Sequence, residues 1–111
     1  MSNVLESSKN LVKMTGEMKD VILASPFIAL ASVSESGQPH LIVVGKVKAI
    51  KDDNYLVFGV YKMDVTRKNL SQTDSLQVVA VSGKVGYRFT GNATVQGDEL
   101  VFSIQQVDTL L

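Results

Sequence analysis

The sequence predicts a mainly β fold: six antiparallel strands closing, or nearly closing, into a small barrel, with one or two short helices. Three observations carry this expectation. Phe27–Thr94 alternates extended apolar runs with turn residues, and one short polar helix interrupts it at Asp64–Thr73. Tyr87–Gln96 alternates apolar and polar residues without a break. At 111 residues, 45% apolar and 20% charged, the chain has the size and make-up of a single globular domain over 1–111.

Taken in order, residues 1–14 give little helical signal. Leu5, Leu11 and Val12 suit either a short extra helix or an arm packed on a partner. Thr15 is placed to cap a helix in which Met18, Val21, Ile22 and Leu23 form an apolar stripe, and Pro26 stops it. FIALASVS is then extended, and Glu35-Ser36-Gly37-Gln38-Pro39 is a turn by composition. His40–Lys51 is expected as one strand. Leu41, Val43, Gly45, Val47 and Ala49 share one face, and the other starts apolar with Ile42 and Val44 before reaching Lys46 and Lys48. Something beyond the core must therefore cover Ile42 and Val44: more of the same chain, a second subunit or a ligand.

Asp52-Asp53-Asn54 is the next turn, and Tyr55–Tyr61 the next strand, apolar on both faces. Asp64 is the expected cap of the central helix, with Leu70 packing inward. Strands follow at Leu76–Ser82, Tyr87–Gln96 and about Glu99–Val107, joined by glycine turns at 83–86 and 97–98. Strands apolar on both sides in so short a chain suit a homodimer; a well-filled barrel interior is the plainer alternative.

Composition removes several function classes. Eleven basic and eleven acidic residues cancel, so no global field favours nucleic acid or an anionic membrane. Without cysteine there is no disulfide framework, thiol nucleophile or Cys-based metal site. The N-terminus MSNVLESSKN lacks the pattern of a signal peptide, and no apolar run approaches a membrane span, so a cytoplasmic location is expected. The single histidine, His40, reads as a solvated or hydrogen-bonded residue at a strand start. No nucleophile elbow, Walker loop or dinucleotide glycine motif is present. What remains is a group of phosphate-capable side chains, Lys62, Thr66, Arg67, Lys68 and Asn69, beside a helix start whose free N–H groups favour an anion. On local sequence alone, a solvated helix face is the better account of Arg67 and Lys68.

The order of these segments resembles the FMN-binding split-barrel family, the superfamily of pyridoxamine phosphate oxidase and of small bacterial FMN-binding proteins. Gly37-Gln38-Pro39-His40 looks like the family's turn between the first two strands, Asn69-Leu70 like its helix ending, and Gly86-Tyr87-Arg88-Phe89-Thr90-Gly91-Asn92-Ala93 like its later G-y-r-x-x-G-x-A strand. The match runs from about Thr15 to Leu111, and its specificity lies in the order of the motifs. The resemblance implies a split β-barrel that binds FMN near a homodimer interface and acts as an oxidoreductase or electron carrier. It implies that Val43, Val44 and Gly45 line the isoalloxazine and that Phe58, Gly59, Val60, Tyr61, Lys62 and Met63 wrap it. Val65, Thr66 and Asn69 would then sit at the phosphate. No residue is implied as a general acid or base.

One departure stands out. Where the family often places a basic residue at the helix start, this chain has Val65-Thr66, which leaves neutralisation to Lys62, Arg67 or Lys68, or to Lys84 or Arg88 of a second subunit. Two alternatives follow. A split barrel can hold haem or a deazaflavin in the same slot, with His40 as the haem ligand to test. It can also persist without cofactor as a dimeric interaction module. Pyridoxamine phosphate oxidase activity itself is not expected, because the chain is short and lacks basic groups for that substrate's phosphate.

Overall fold

The computed structural model describes residues 12–110. Residues 1–11, most of the segment expected as an arm or extra helix, lie outside the described residues. The chain forms α1 (Gly16–Ala24), β1 (Ile28–Val33), β2 (Pro39–Val44), β3 (Ala49–Lys51), β4 (Tyr55–Gly59), α2 (Asp64–Thr73), β5 (Ser75–Ser82), β6 (Val85–Gln96) and β7 (Glu99–Thr109). The strands make one antiparallel sheet in the order β2-β1-β5-β6-β7-β4-β3.

The two edge strands of this sheet, β2 and β3, are consecutive in the chain and joined only by Gly45–Lys48. A link that short reaches no more than roughly 18 Å, whereas seven strands laid flat would be about 29 Å wide. The sheet is therefore rolled into a barrel whose seam is left unpaired. The count of seven strands corrects the expected six. Glycine weakens a strand interior, and the run expected as one strand over His40–Lys51 breaks at Gly45; its far end resumes as β3, paired with β4.

Cross-strand register builds the core. Ile42, Leu30, Val78, Phe89 and Val107 follow one another across five neighbouring strands, and Ile50, Leu56, Phe102 and Ala93 do the same from the other edge. Leu30, Val78, Phe89, Leu56 and Phe102 are fully or almost fully buried, as close-packed interiors require. Inward alternation along β6 holds for Tyr87, Phe89, Gly91 and Ala93. At Gly91 the register against β7 slips by one residue, and any Cβ there would collide with the Ser103 carbonyl.

The register of β2 inverts an expectation. Ile42 and Val44 pack against the core, and Leu41 and Val43 face outward, 67% and 62% exposed. The strand is apolar on both faces, so its own pattern does not choose between them. Pairing of Ile42 with the buried Leu30 decides it.

Thr15 caps α1 as expected, its hydroxyl accepting from Met18 N at 3.2 Å, and Val21 and Ile22 are buried. Tyr87 on β6 donates to Glu17 at 2.8 Å, which ties the helix to the sheet and raises the tyrosine pKa. Ser25, just past the helix, lies within 2.7 Å of the Val21 carbonyl and 2.9 Å of the Val81 carbonyl. Before α1, Val12 N donates to Ile104 O and Met14 N to Asp53 O, so the entering chain is pinned across the sheet. No helix among the described residues is long and apolar enough to cross a membrane.

Candidate functional site

The seam left by the strand break is a slot. The end of β2, the Gly45–Lys48 link, the end of β4 and the loop leading to α2 enclose a cavity of about 650 Å³. Val43, Val44, Gly45, Phe58, Gly59, Val60, Tyr61 and Met63 line it, so eight of the twelve residues expected at a cofactor come together here. Its walls are mostly apolar, and its volume lies in the range of small-molecule sites.

Lys46, Lys48 and Asp98 also line the slot, and sequence reasoning did not place them there. The one sequence signal for them was Gly45 inside an apolar run; the Gly97-Asp98 turn reaches the slot through the pairing of Gly59 with Glu99. Lys46 donates to the Leu23 carbonyl at 2.8 Å, and Lys48 pairs with Glu99 at 2.8 Å. The hydrogen bond and charge of Lys48 hold the Glu99 carboxyl below the usual carboxylate range, and Glu99 raises Lys48 in turn. Val60 N donates to the Asp98 carbonyl at 2.9 Å, which anchors the loop after β4.

The other four expected residues do not line the slot. Lys62 is exposed, its backbone in the left-handed region at φ 51 and its ammonium 5.4 Å from the centre of the Tyr61 ring. Val65 and Asn69 line a second cavity of about 580 Å³, bounded by α2 and the β1–β2 turn. Its remaining walls are Ser34, Glu35, Ser36, Gln38, Lys68 and Gln72. Thr66 is buried between the helix and the sheet, and its hydroxyl has no hydrogen-bond partner among the described residues. Asn69 is buried too and donates to Ser32 at 3.0 Å.

The start of α2 also differs from expectation. Met63, not Asp64, is the capping position, and no side chain caps the first turn. Met63 is buried and apolar, so the leading N–H groups of α2 lack the side-chain acceptor that helix starts commonly have. The free N–H groups at the start of α2 favour an anion, while the Asp64 carboxylate in the same first turn opposes one. His40 lines neither cavity; it is half-buried on β2, opposite Ser32.

The comparisons agree with this architecture. HupZ from Group A Streptococcus is 22% identical with a TM-score of 0.77, covering 87% of this chain and 94% of its own. An FMN-binding protein from Syntrophomonas wolfei is 14% identical with a TM-score of 0.69, covering 96% and 90%. HutZ, the heme storage protein of Vibrio cholerae, is 11% identical with a TM-score of 0.60, covering 88% and 95%. At these identities the likeness is one of fold. No curated protein matches the chain. The sequence model of the family described as pyridoxamine 5'-phosphate oxidase matches residues 14–107, nearly the whole described chain, and the protein belongs to that family.

Proposed function

We propose that the protein is an FMN-binding flavoprotein, an oxidoreductase or electron carrier that works as a homodimer. The observation that carries this reading is the adjacency of two unlike surfaces. An apolar slot reaches Met63, where an uncapped helix begins whose first turn carries the buried, unpartnered Thr66 hydroxyl. A flat aromatic ring attached to a phosphate asks for that pair. The residues present therefore fit FMN, with Val43, Val44, Phe58, Gly59 and Val60 against the ring and Thr66 and the α2 N–H groups at the phosphate.

The bound flavin would accept and return electrons. The chain's own part is to hold the ring in an apolar wall, keep bulk water from one side of it and anchor the phosphate. No side chain lining the slot is placed as an evident general acid or base, so proton transfer is left to solvent and to the substrate. Lys62 stands exposed at the slot's mouth and supplies the cation that Val65 does not.

A second subunit completes the site. Val43 and Tyr61 line the slot yet are 62% and 75% exposed, and the sheet face beyond Val43 carries Leu41, Phe27 and Val81, also exposed. Apolar surface gathered beside a ligand slot suits an interface. Haem is the second reading, favoured by the fold shared with the heme storage protein HutZ, but His40 lines neither cavity.

The test is a titration of the purified protein with FMN and with riboflavin, followed by flavin fluorescence. FMN should bind more tightly than riboflavin. Thr66→Val combined with Lys62→Ala should weaken FMN by about tenfold or more, the loss expected from removing charge-assisted hydrogen bonds, and leave riboflavin unchanged. Equal loss for both ligands would remove the phosphate assignment. A colourless protein that ignores FMN would make the chain a cofactor-free interaction module instead.

A further inference from the structure

The second cavity, about 580 Å³, shares no lining residue with the slot and has no part in holding FMN. Both of its walls are fixed to the same strand. The β1–β2 turn closes on itself: Ser34 N donates to the Gln38 carbonyl at 2.8 Å, Gly37 N to the Ser34 carbonyl at 2.9 Å, and Gln38 N to the Ser34 hydroxyl at 3.0 Å. Opposite it, α2 is tied to β1 twice. Asn69 Nδ2 donates to the Ser32 hydroxyl at 3.0 Å, and the Thr73 hydroxyl donates to the Val33 carbonyl at 3.0 Å. The space between turn and helix is therefore pre-formed, and a ligand entering it does not have to order its own site.

Two opposite charges line this space without meeting. Glu35 stands on the turn and Lys68 on the helix, yet none of the three ion pairs among the described residues includes either. Asn69 adds a buried polar group. It is 3% exposed, its amide nitrogen is engaged by Ser32, and its amide oxygen has no donor among the described residues. Gln72, one turn beyond Lys68 on the same ridge, brings a second amide. Val65, 49% exposed, is the apolar part of the wall.

This lining selects by charge. A simple anion is attracted by Lys68 and repelled by Glu35, and a simple cation meets the reverse. A ligand that carries both charges gains from each, through charge-assisted hydrogen bonds at its two ends. The Glu35 carboxylate and the Asn69 oxygen are both acceptors, so the cationic end needs several N–H donors. A primary ammonium has three, whereas a quaternary one has none. The Lys68 ammonium and the Gln72 amide are donors and suit a carboxylate.

We propose that the second cavity is a binding site for a free α-amino acid. The ammonium of the ligand donates to Glu35 and to the Asn69 oxygen, its carboxylate accepts from Lys68 and Gln72, and an apolar side chain lies against Val65. The site is separate from the slot and stands whether or not the slot holds flavin.

The experiment is an NMR titration of the full chain with each standard amino acid at millimolar concentration, read at the backbone amides of residues 34–38 and 65–72. An amino acid with an apolar side chain should move these resonances together and saturably. Its carboxamide, which lacks the carboxylate, and its N-acetyl derivative, which lacks the ammonium, should each bind about tenfold more weakly. Glu35→Gln and Lys68→Gln, both at exposed positions, should each weaken the amino acid by about tenfold and leave the thermal midpoint of the free protein unchanged. Absence of a saturable response to every amino acid overturns the inference. So does binding of the carboxamide or the N-acetyl derivative as tightly as the parent, or an affinity that neither variant changes.

Discussion

Two adjacent rows on the same strands make an instructive pair. Ile42, Leu30, Val78, Phe89 and Val107 form one row across β2, β1, β5, β6 and β7. One residue further along lie Val43, Ala29, Val79, Arg88 and Asp108. The first row is core, while the second faces outward, open at Val43 and closed at its far end by an Arg88–Asp108 ion pair at 3.2 Å. Three of its five members are apolar without a protein neighbour to cover them fully. The buried Nε of Arg88 also lacks a partner among the described residues. The inner row holds the fold together, and the outer row lies on the face proposed above as the subunit contact.

The comparison breaks most visibly from the inside. Phe89→Ala should cost about 3–5 kcal/mol, the price of a cavity in a packed core, read as a lower midpoint in urea unfolding. A loss under 1 kcal/mol would mean that the inner row is not the core. On the outward face beside the outer row, Leu41→Asp should change monomer unfolding by less than about 0.5 kcal/mol, because the side chain is 67% exposed. The same substitution should shift the protein from dimer to monomer in analytical ultracentrifugation. An unchanged sedimentation profile would show that this outward face is not the subunit contact.

The smallest effect concerns the ion pairs at the seam and at the β3–β4 turn. Glu99 is held below the usual carboxylate range by Lys48, and Asp53 by Lys19, whose ammonium lies 2.6 Å away. A lowered folded-state pKa adds stability that is present above the ordinary carboxylate range and is lost as pH falls through the lowered value. Acid titration of thermal stability should therefore show a modest decline below about pH 4, and Glu99→Gln with Asp53→Asn should flatten it. Both pairs are largely exposed, so neutral-pH stability should hardly move.

Much of this architecture was legible in the chain. Thr15, Pro26 and the Met18–Val21–Ile22 stripe placed α1, and the strict alternation of Tyr87, Phe89, Gly91 and Ala93 placed β6 with its faces the right way round. The β2 region was harder for a definite reason. Leu41, Ile42, Val43 and Val44 are all apolar, so a period of two carries no sign, and only the partner strand supplies one. The break at Gly45 was hidden in the same way, since Val47, Ala49 and Ile50 continue the apolar pattern beyond it. The candidate site suffered accordingly. Residues on β4 and β2 were found, but Lys46, Lys48 and Asp98 became visible only once the seam brought the link and the Gly97-Asp98 turn to one cavity. Separation of Val65 and Asn69 from the slot follows from helical geometry, which turns them toward the β1–β2 loop.

The strand order has a consequence for how the chain is made. β7, the final element, does not finish at an edge; it lies between β6 and β4 and is hydrogen-bonded to both. During synthesis β3 and β4 emerge early but have only each other to pair with, and a lone two-stranded ribbon is marginal in water. The β1–β2 and β5–β6 pairs assemble as a separate half sheet. Only when Glu99–Thr109 leaves the ribosome does a keystone slide between the halves and bring β4 alongside the rest of the sheet. Chains that stop before Glu99 should therefore fail to close the sheet and should be the ones that chaperones and proteases see.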